Sequence, residues 1–273
     1  MQQVSAQGFD VPAIGYGTWQ LRGKECREGV AHALSVGYRH VDTAQMYGNE
    51  DEVGQAVEGS AVARSEVWLT TKLGLGNMAA DAVKRSTEES LSKLRTDYLD
   101  LLLIHWPSQD TPLAETLGAM HELRKAGKVR TVGVSNFPPS WQEAALRHGP
   151  LLTNQVEYHL YLPQRPVLDL CADHDMVLTA YSPLAHGRVL DDPVVREIAE
   201  SHKVHPAQVA IAWVLSQGPV TAIPKATAPE RIESNLAALE VSLSPDERAR
   251  LDELGEGATG RIIDPPFAPD WER

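Results

Sequence analysis

The sequence alternates short runs rich in β-forming residues with longer stretches of helical periodicity. Strands that alternate with helices favour parallel pairing through right-handed crossovers. Eight such units predict an α/β protein with a closed (β/α)8 TIM barrel. The strand candidates are residues 14–19, 38–43, 67–72, 99–105, 130–135, 154–158, 177–182 and 220–224. Helical candidates lie near residues 24–36, 49–59, 79–95, 112–126, 139–147, 163–174, 206–217 and 229–239.

Two further helical stretches do not fit the eightfold count. One covers residues 192–202, and the other covers residues 244–254, where Ser244 precedes a proline as at many helix starts. The short tail at 255–273 is rich in Gly and Pro and is expected to be irregular. We find no linker and no internal repeat, so the 273 residues predict one domain, 1–273.

Composition excludes several classes of partner. The net charge is −12, which argues against nucleic acid and anionic membranes as general partners. No run approaches the ~20 apolar residues of a membrane span, and no secretory signal is recognisable. The two cysteines, Cys26 and Cys171, are far apart and fit free thiols in a reducing compartment. We therefore expect a cytoplasmic, monomeric protein with a small-molecule partner.

Polar side chains end three consecutive strand candidates. Asp42 closes the second strand and is followed by Tyr47 in the next loop. Lys72 closes the third strand and His105 the fourth. Singly, each has an ordinary structural explanation as a cap, a packed ring or a surface charge. Because the carboxyl ends of barrel strands share one rim, these residues together predict a catalytic cluster there.

The chemistry of such a cluster follows from its functional groups. A tyrosine hydroxyl has a pKa of about 10, and a nearby Lys72 ammonium is expected to lower it. Asp42 would compensate the buried charge of that lysine, and His105 would orient a carbonyl oxygen toward Tyr47. The cluster contains a proton donor but no nucleophile and no metal-ligand set, so another group must attack the carbonyl carbon, and a hydride from a bound nicotinamide would serve.

A glycine motif at residues 74–79 suggests a different fold from the barrel. Gly74, Gly76 and Ala79 match the G-x-G-x-x-A dinucleotide fingerprint and follow a strand. That fingerprint requires an acidic residue about 20 residues later, at the end of the next strand. Asp97 has this spacing but begins its strand. We therefore interpret the glycines as an ordinary loop.

The sequence resembles the aldo-keto reductases along nearly its whole length. Each matching fragment is short, but their occurrence together and in order is specific to that family. The fragments are Gly15-Tyr16-Gly17-Thr18-Trp19, Val41-Asp42-Thr43-Ala44, Tyr47-Gly48-Asn49-Glu50, Thr71-Lys72, His105-Trp106-Pro107, Gly133-Val134-Ser135-Asn136-Phe137, Asn154-Gln155-Val156-Glu157-Tyr158-His159, Ala180-Tyr181-Ser182-Pro183-Leu184 and Ile223-Pro224-Lys225.

The resemblance implies an NADP-dependent oxidoreductase that reduces aldehydes or ketones, with NADH as a weaker alternative to NADPH. It implies a tetrad in which Tyr47 is the general acid, supported by Asp42, Lys72 and His105. It places the 2'-phosphate on Lys225 and Arg231. The other cofactor-binding residues that it implies are Thr18, Trp19, Asp42, Ser135, Asn136, Gln155, Tyr181, Ser182, Leu184 and Asn235.

Several positions depart from the family pattern. Ala226 replaces a hydroxyl beside the phosphate-binding lysine, and Ser234 replaces an acid near the adenine. The loop at 185–190 is short, so little chain is expected to cover the cofactor. The C-terminal loop that closes many substrate pockets is expected to be largely absent. The predicted pocket wall is Trp19, Met46 and Trp106, with Phe267 or Trp271 as further candidates.

Two alternatives stay open on the sequence. Lys72 could form a Schiff base with a carbonyl substrate, as in barrel aldolases. The chain could also be a non-catalytic member that binds the cofactor as a sensor or regulatory subunit.

Overall fold

The computed structural model of the chain describes residues 2–256 and 260–271. Its strands, in chain order, are β1 Gln3–Ala6, β2 Phe9–Pro12, β3 Tyr16–Gly17, β4 His40–Asp42, β5 Trp68–Leu73, β6 Leu99–Ile104, β7 Val129–Ser135, β8 Thr153–Glu157, β9 Val177–Tyr181 and β10 Val220–Ala222. The last eight form one parallel sheet in chain order, from β3 to β10. The predicted α/β barrel class is confirmed.

Hydrogen bonds between the first and last strands of the sheet close the barrel. Ile14 forms a parallel bridge with Ala222, and the Gly15 N–H donates to the Ala222 carbonyl at 2.8 Å. The Gly17 N–H donates to the Pro224 carbonyl at 3.1 Å. A Cβ atom on Gly17 would lie 2.8 Å from the Ile223 carbonyl oxygen, so this seam requires glycine. Only Tyr16–Gly17 of the predicted strand 14–19 is regular.

Helices surround the sheet. They are α1 Gly23–Val36, α2 Glu50–Glu58, α3 Ala80–Leu94, α4 Leu113–Lys125, α5 Pro139–Leu146, α6 Arg165–Asp173, α7 Pro193–His202, α8 Pro206–Leu215, α9 Pro229–Leu236 and α10 Pro245–Asp252. The two additional helices, α7 and α10, lie where the sequence predicts them. No helix within the described ranges is long and apolar enough to cross a membrane.

The starts of α7 and α10 follow their local sequence, whereas the start of α2 does not. Asp192 accepts from two N–H groups of α7, and Ser244 forms a capping box with Glu247 at α10. Asn49 precedes α2 as expected, but its side chain makes no capping bond. Its amide instead donates to the carbonyl groups of Thr18 and Leu21. Asn49 therefore connects the start of α2 to the segment that follows β3, at the mouth of the barrel.

The register of the strands brings their polar ends to one rim. All six residues of β6 are buried, as expected for an apolar strand covered on both faces. Asp42 lies opposite Thr70, and Lys72 lies opposite Leu103. Ser135 pairs with Gln155 farther round the sheet. Each strand thus delivers its polar residue to the carboxyl end, where barrel enzymes carry their chemistry.

An antiparallel hairpin of β1 and β2 precedes the barrel, and the sequence analysis missed it. Gln7 and Gly8 turn the chain with φ angles of 50° and 78°. Val11 and Ala6 pack with Trp68 in a separate apolar cluster. A cavity of 590 Å³ lies on this side of the molecule, away from the polar rim. The Gln-Gly pair between β-forming residues was the available signal.

The close packing of α2 on α3 predicts that Gly54→Ala is destabilising. A Cβ on Gly54 would collide with the Lys93 carbonyl oxygen and lie 2.7 Å from the Leu94 Cα. Overpacking of this kind costs about 1–3 kcal/mol. In the control Gly118→Ala, an exposed helix position with no atom within 4 Å, stability should rise by about 0.5–1 kcal/mol. Urea unfolding midpoints measure both, and equal midpoints would contradict the packing argument.

Candidate active site

A buried ion pair lies at the centre of the polar rim. Lys72 is fully buried, and its Nζ contacts the Asp42 carboxylate. The same Nζ donates to the Thr43 carbonyl oxygen at 2.8 Å and lies 3.5 Å from the Tyr47 hydroxyl. Burial lowers the pKa of Lys72, and the Asp42 carboxylate opposes that shift. The structure therefore brings Asp42, Tyr47 and Lys72 into one contact group.

Asp42 is held on several sides. Its second carboxylate oxygen accepts from Gln155 Nε2 at 2.7 Å. Its carbonyl oxygen accepts from the Thr18 N–H at 3.0 Å and from the Thr18 hydroxyl at 2.9 Å. A buried carboxylate is stable only when its oxygens have polar partners, and here Lys72 contacts one oxygen and Gln155 the other. Gln155 therefore supports the ion pair directly, while Thr18 fixes the Asp42 backbone.

The pKa of Tyr47 differs from the expectation. Burial, and then the Asp42 carboxylate, raise the pKa of Tyr47 well above its ordinary value. The predicted lowering of the Tyr47 pKa by Lys72 is therefore wrong. The reason is that the Lys72 charge is offset by Asp42, which lies against it, so the ammonium provides little net field at the hydroxyl. Tyr47 consequently holds its proton throughout the neutral range.

His105 lies beside Tyr47. Their ring centroids are 5.6 Å apart in an edge arrangement. Burial, and then the charge of Lys72, lower the pKa of His105 well below its ordinary value, so the imidazole is neutral. The Asn136 side chain donates to the His105 carbonyl oxygen at 3.0 Å. A neutral imidazole beside a protonated phenol suits hydrogen bonding to a carbonyl oxygen.

Three amide and hydroxyl side chains and one aromatic ring line the adjacent part of the rim. Asn136 accepts from the Tyr181 hydroxyl at 2.8 Å and donates to Ser135 Oγ at 3.1 Å. The Ser135 hydroxyl donates to the Gln155 carbonyl oxygen at 2.8 Å. An amide oxygen has two acceptor sites, so Asn136 Oδ1 retains one. That remaining capacity suits an amide NH2 group lying against the half-buried Tyr181.

A second cluster lies at the start of α9. Lys225 and Arg231 are exposed, and within the described part of the chain neither forms an ion pair. Asn235 is buried on the same helix. Ala226 is buried and its carbonyl oxygen accepts from the Tyr16 hydroxyl at 2.7 Å. Two unpaired cations beside a helix N-terminus form an anion-binding surface.

Ser182 and Leu184 follow β9, between the rim and this cationic surface. Both are half-buried, and Ser182 has a φ of 50°. The following 3-10 segment, Ala185–Asp191, contains successive positive φ angles at Ala185, His186 and Gly187. The His186 ring lies 5.8 Å from the ring of Trp19. The short loop therefore contacts Trp19, and the expectation that little chain covers the cofactor stays a prediction.

The structure describes the three residues predicted for the pocket wall and both tail candidates, and their role as a pocket wall stays a prediction. Trp19 and Met46 are exposed at the mouth, and Trp106 is buried beneath it. The rings of Phe267 and Trp271 pack edge-on against Trp106, at centroid distances of 5.5 and 6.3 Å. Phe267 and Trp271 of the short tail therefore pack against Trp106, and the expectation that the longer pocket-closing loop is largely absent stays a prediction.

Residues 13–256 match the family model described as Aldo/keto reductase family. The chain belongs to the aldo/keto reductase family. Methylglyoxal reductase DkgB of Escherichia coli O157:H7 is 39% identical over 268 residues, which cover 96% of this chain and 99% of that protein. The 9,11-endoperoxide prostaglandin H2 reductase of Trypanosoma cruzi is 38% identical over 252 residues, or 90% of this chain and 88% of that protein.

Solved structures agree in fold. A crystal structure provisionally named 2,5-diketo-D-gluconic acid reductase B superposes with a TM-score of 0.97 at 44% identity, covering 100% of this chain and 98% of the other. The aldose reductase of Schistosoma japonicum gives a TM-score of 0.87 at 32% identity, covering 93% and 92% of the two chains. Family members generally use a nicotinamide cofactor.

A buried carboxylate fixes the tail of this aldo/keto reductase, and the sequence analysis missed its role. Glu157 is fully buried and accepts from the backbone N–H groups of Ile262 and Ile263, at 2.8 and 2.9 Å. His159 lies 3.0 Å from the same carboxylate. Burial raises the pKa of Glu157, but these hydrogen bonds outweigh that effect and hold the net pKa below its ordinary value.

Arg261, which the sequence analysis also missed, supports the tail from the other side. Its guanidinium stacks on the Trp271 ring at 3.5 Å, and it donates to the Gln164 side chain at 3.2 Å. Glu157 belongs to a quoted family motif, so its position at a strand end was visible. Its partners are more than 100 residues away, and local sequence carries no signal for that contact.

Glu157→Gln is expected to loosen the tail. The amide NH2 that replaces one oxygen cannot accept from the N–H of Ile262 or Ile263, and an unsatisfied buried donor costs about 1–3 kcal/mol. Hydrogen exchange at those two amides should accelerate, while amides in β6 should stay protected.

The same anchor should respond to acid in wild type. A carboxylate with a lowered folded pKa contributes stability above its unfolded pKa of about 4.3 and loses that contribution as pH falls further. The protection factors of the tail amides, which correct for the slower intrinsic exchange in acid, should therefore fall in wild type below that pH. Unchanged protection in both experiments would contradict the anchor.

Proposed function

We propose that this aldo/keto reductase reduces aldehydes or ketones to alcohols, with NADPH as the hydride source and Tyr47 as the proton donor. The observation that carries the proposal is the Lys72 ammonium, which lies 3.5 Å from the Tyr47 hydroxyl while paired with Asp42. The neutral phenol of Tyr47 and the neutral imidazole of His105 lie at the same rim. That set protonates an oxyanion as it forms and has no other evident use.

The residues present fit a dinucleotide cofactor. A bound nicotinamide supplies the hydride that reduces the carbonyl carbon. Asn136, Ser135 and Gln155 would hold its carboxamide, because Asn136 Oδ1 retains an acceptor site beside the Tyr181 ring. Thr18 and Trp19 would border the site from β3. Ser182 and Leu184 would contact the pyrophosphate, and Asn235 would lie near the adenine.

Tyr47 and His105 would act together on the carbonyl oxygen. The neutral His105 donates a hydrogen bond that places this oxygen next to the Tyr47 hydroxyl. Tyr47 then gives its proton to the developing alkoxide. The raised pKa of Tyr47 keeps the hydroxyl protonated before this step. Lys72 Nζ, which lies 3.5 Å from the hydroxyl, would donate a hydrogen bond to the resulting phenolate, while Asp42 holds the ammonium in place.

The substrate class is proposed from the pocket and the relatives. Trp19, Met46 and Trp106 form an aromatic and apolar mouth with Phe267 and Trp271 above it. Such a pocket accepts small aldehydes and activated ketones. Methylglyoxal reductase is the name of one relative, and we propose a small carbonyl compound of that kind as substrate.

The chemistry of Lys72 makes the Schiff-base alternative less supported. A Schiff base needs a free amine that reaches the substrate. Lys72 is fully buried, and its Nζ is occupied by Asp42 and the Thr43 carbonyl oxygen. The complete tetrad likewise supports catalysis over a regulatory role. Because one chain supplies every proposed site residue, we also propose that the protein acts as a monomer, and the buried free thiols support a cytoplasmic location.

Tyr47→Phe is expected to remove carbonyl reduction and leave NADPH binding nearly unchanged. The phenyl ring keeps its contact with His105 but carries no proton. Loss of a general acid lowers kcat by about 100- to 10,000-fold. NADPH oxidation with methylglyoxal measures turnover, and quenching of tryptophan fluorescence measures binding. A variant that keeps more than roughly a tenth of wild-type kcat would exclude Tyr47 as the acid.

Arg231→Ala is expected to weaken NADPH binding by about tenfold or more and to leave NADH nearly unaffected. Lys225 remains, but one charge-assisted contact to the 2'-phosphate is lost. Ala226 offers no hydroxyl as a substitute, so wild-type preference for NADPH should be moderate. The control is Arg248→Ala, an exposed arginine on α10. Equal losses for the two cofactors in kcat/KM would show that Arg231 does not bind the phosphate.

A further inference from the structure

We propose that Gln45 is the positioning residue that fixes the Tyr47 hydroxyl relative to Lys72. The proposal rests on the catalytic role given to Tyr47 above. Gln45 begins the 3-10 turn Gln45–Tyr47, two residues before the proposed acid. It touches neither the reacting atoms nor the cofactor positions, so its effect is transmitted through the loops that it joins.

All the hydrogen-bonding capacity of the Gln45 amide is used. Its oxygen accepts from the Gly74 N–H at 2.7 Å and from Asn77 Nδ2 at 2.9 Å. Its nitrogen donates to the Ser86 carbonyl oxygen at 3.2 Å and to Ser90 Oγ at 3.1 Å. A side-chain amide that makes all four bonds has one orientation, and it holds its own backbone in one place.

The partners of Gln45 connect the two catalytic segments. Gly74 lies two residues after Lys72, just as Gln45 lies two residues before Tyr47. The bond between Gly74 and Gln45 therefore ties the loop after β5 to the turn that carries the hydroxyl. Gly74 is the first glycine of the motif that resembles a dinucleotide fingerprint. In this structure its N–H group binds the Gln45 side chain.

The same connection continues behind the strand. Ser90 on α3 hydrogen-bonds the buried Glu50 carboxylate, which also accepts from Thr71 Oγ1 at 2.7 Å. Thr71 is the residue before Lys72. Gln45 thus reaches β5 on both sides of the lysine, directly at Gly74 and through Ser90 and Glu50 at Thr71.

Precise placement matters because the contact between Lys72 Nζ and the Tyr47 hydroxyl is already long, at 3.5 Å. The turn itself is a single 3-10 segment that ends at Gly48 with a φ of 63°. Such a short turn has few internal bonds to hold a side chain. A displacement of about 1 Å at a reacting group costs as much as roughly 100-fold in rate.

The decisive variant is Gln45→Met, which keeps the length of the side chain and removes its hydrogen bonds. We expect kcat for methylglyoxal reduction to fall about 10- to 100-fold, with KM and the NADPH Kd within about twofold of wild type. The solvent deuterium isotope effect on kcat should rise, since proton transfer becomes slower. The matched control is Gln55→Met on α2, where the amide bonds only Asp51 and Arg27 among the described residues.

A second variant keeps the proposal testable if Gln45→Met folds poorly. Gln45→Glu preserves the acceptor for Gly74 and Asn77 and loses the donor, so its kcat should lie between those of wild type and Gln45→Met. Asn77→Ala removes one partner and should give a smaller loss. An unchanged kcat in Gln45→Met, or a loss of kcat that matches its loss of folded protein, overturns the proposal.

These outcomes separate the two levels of inference. If Tyr47→Phe is inactive while Gln45→Met keeps full kcat and an unchanged isotope effect, only the positioning role is wrong. If Tyr47→Phe is as active as wild type, the proposed acid is wrong, and the role of Gln45 falls with it.

Discussion

The buried pair of Lys72 and Asp42 constrains everything else at the mouth of this barrel. Two charges removed from water are stable only when each has further polar partners. Thr43 provides one for the lysine, and Gln155 provides one for the carboxylate. Removing a single member of such a pair typically costs about 3–5 kcal/mol, because the other charge is left uncompensated. The pair therefore matters for the stability of the barrel as well as for the chemistry of the site.

The charges of Lys72 and Asp42 compensate each other, and this explains why the neighbouring titratable groups are neutral. Because the two charges offset each other, Tyr47 and His105 both experience burial more strongly than charge, and both are neutral. The cations that suit a phosphate, Lys225 and Arg231, lie at a different part of the rim beside α9. Charge recognition and proton chemistry are thus separated in space, so each can be varied independently.

The sequence carried enough information for the barrel and for the members of the cluster. Several apolar strands each end in a polar residue, and parallel pairing is enough to bring such residues to one rim. The pairing of Lys72 with Leu103 shows this parallel register. The pKa of Tyr47 could not be predicted in the same way, since it depends on how closely Asp42 screens the lysine. The anchor at Glu157 was missed because its contacts join segments that are distant in the chain, whereas the hairpin is local and its Gln7-Gly8 turn was visible in the sequence.

Glu157 binds the tail through backbone N–H groups, so this contact does not depend on the side chains beyond Ile263. Residues 264–271 can therefore change without loss of this backbone attachment, although a change at Trp271 would remove its stacking on Arg261. Phe267 and Trp271 pack against Trp106 from this segment, whereas the proposed catalytic residues all lie earlier in the chain. Under the proposed function, a lineage with this architecture could drift toward new carbonyl compounds through active intermediates, because mutations in the tail would leave the proposed proton donor in place.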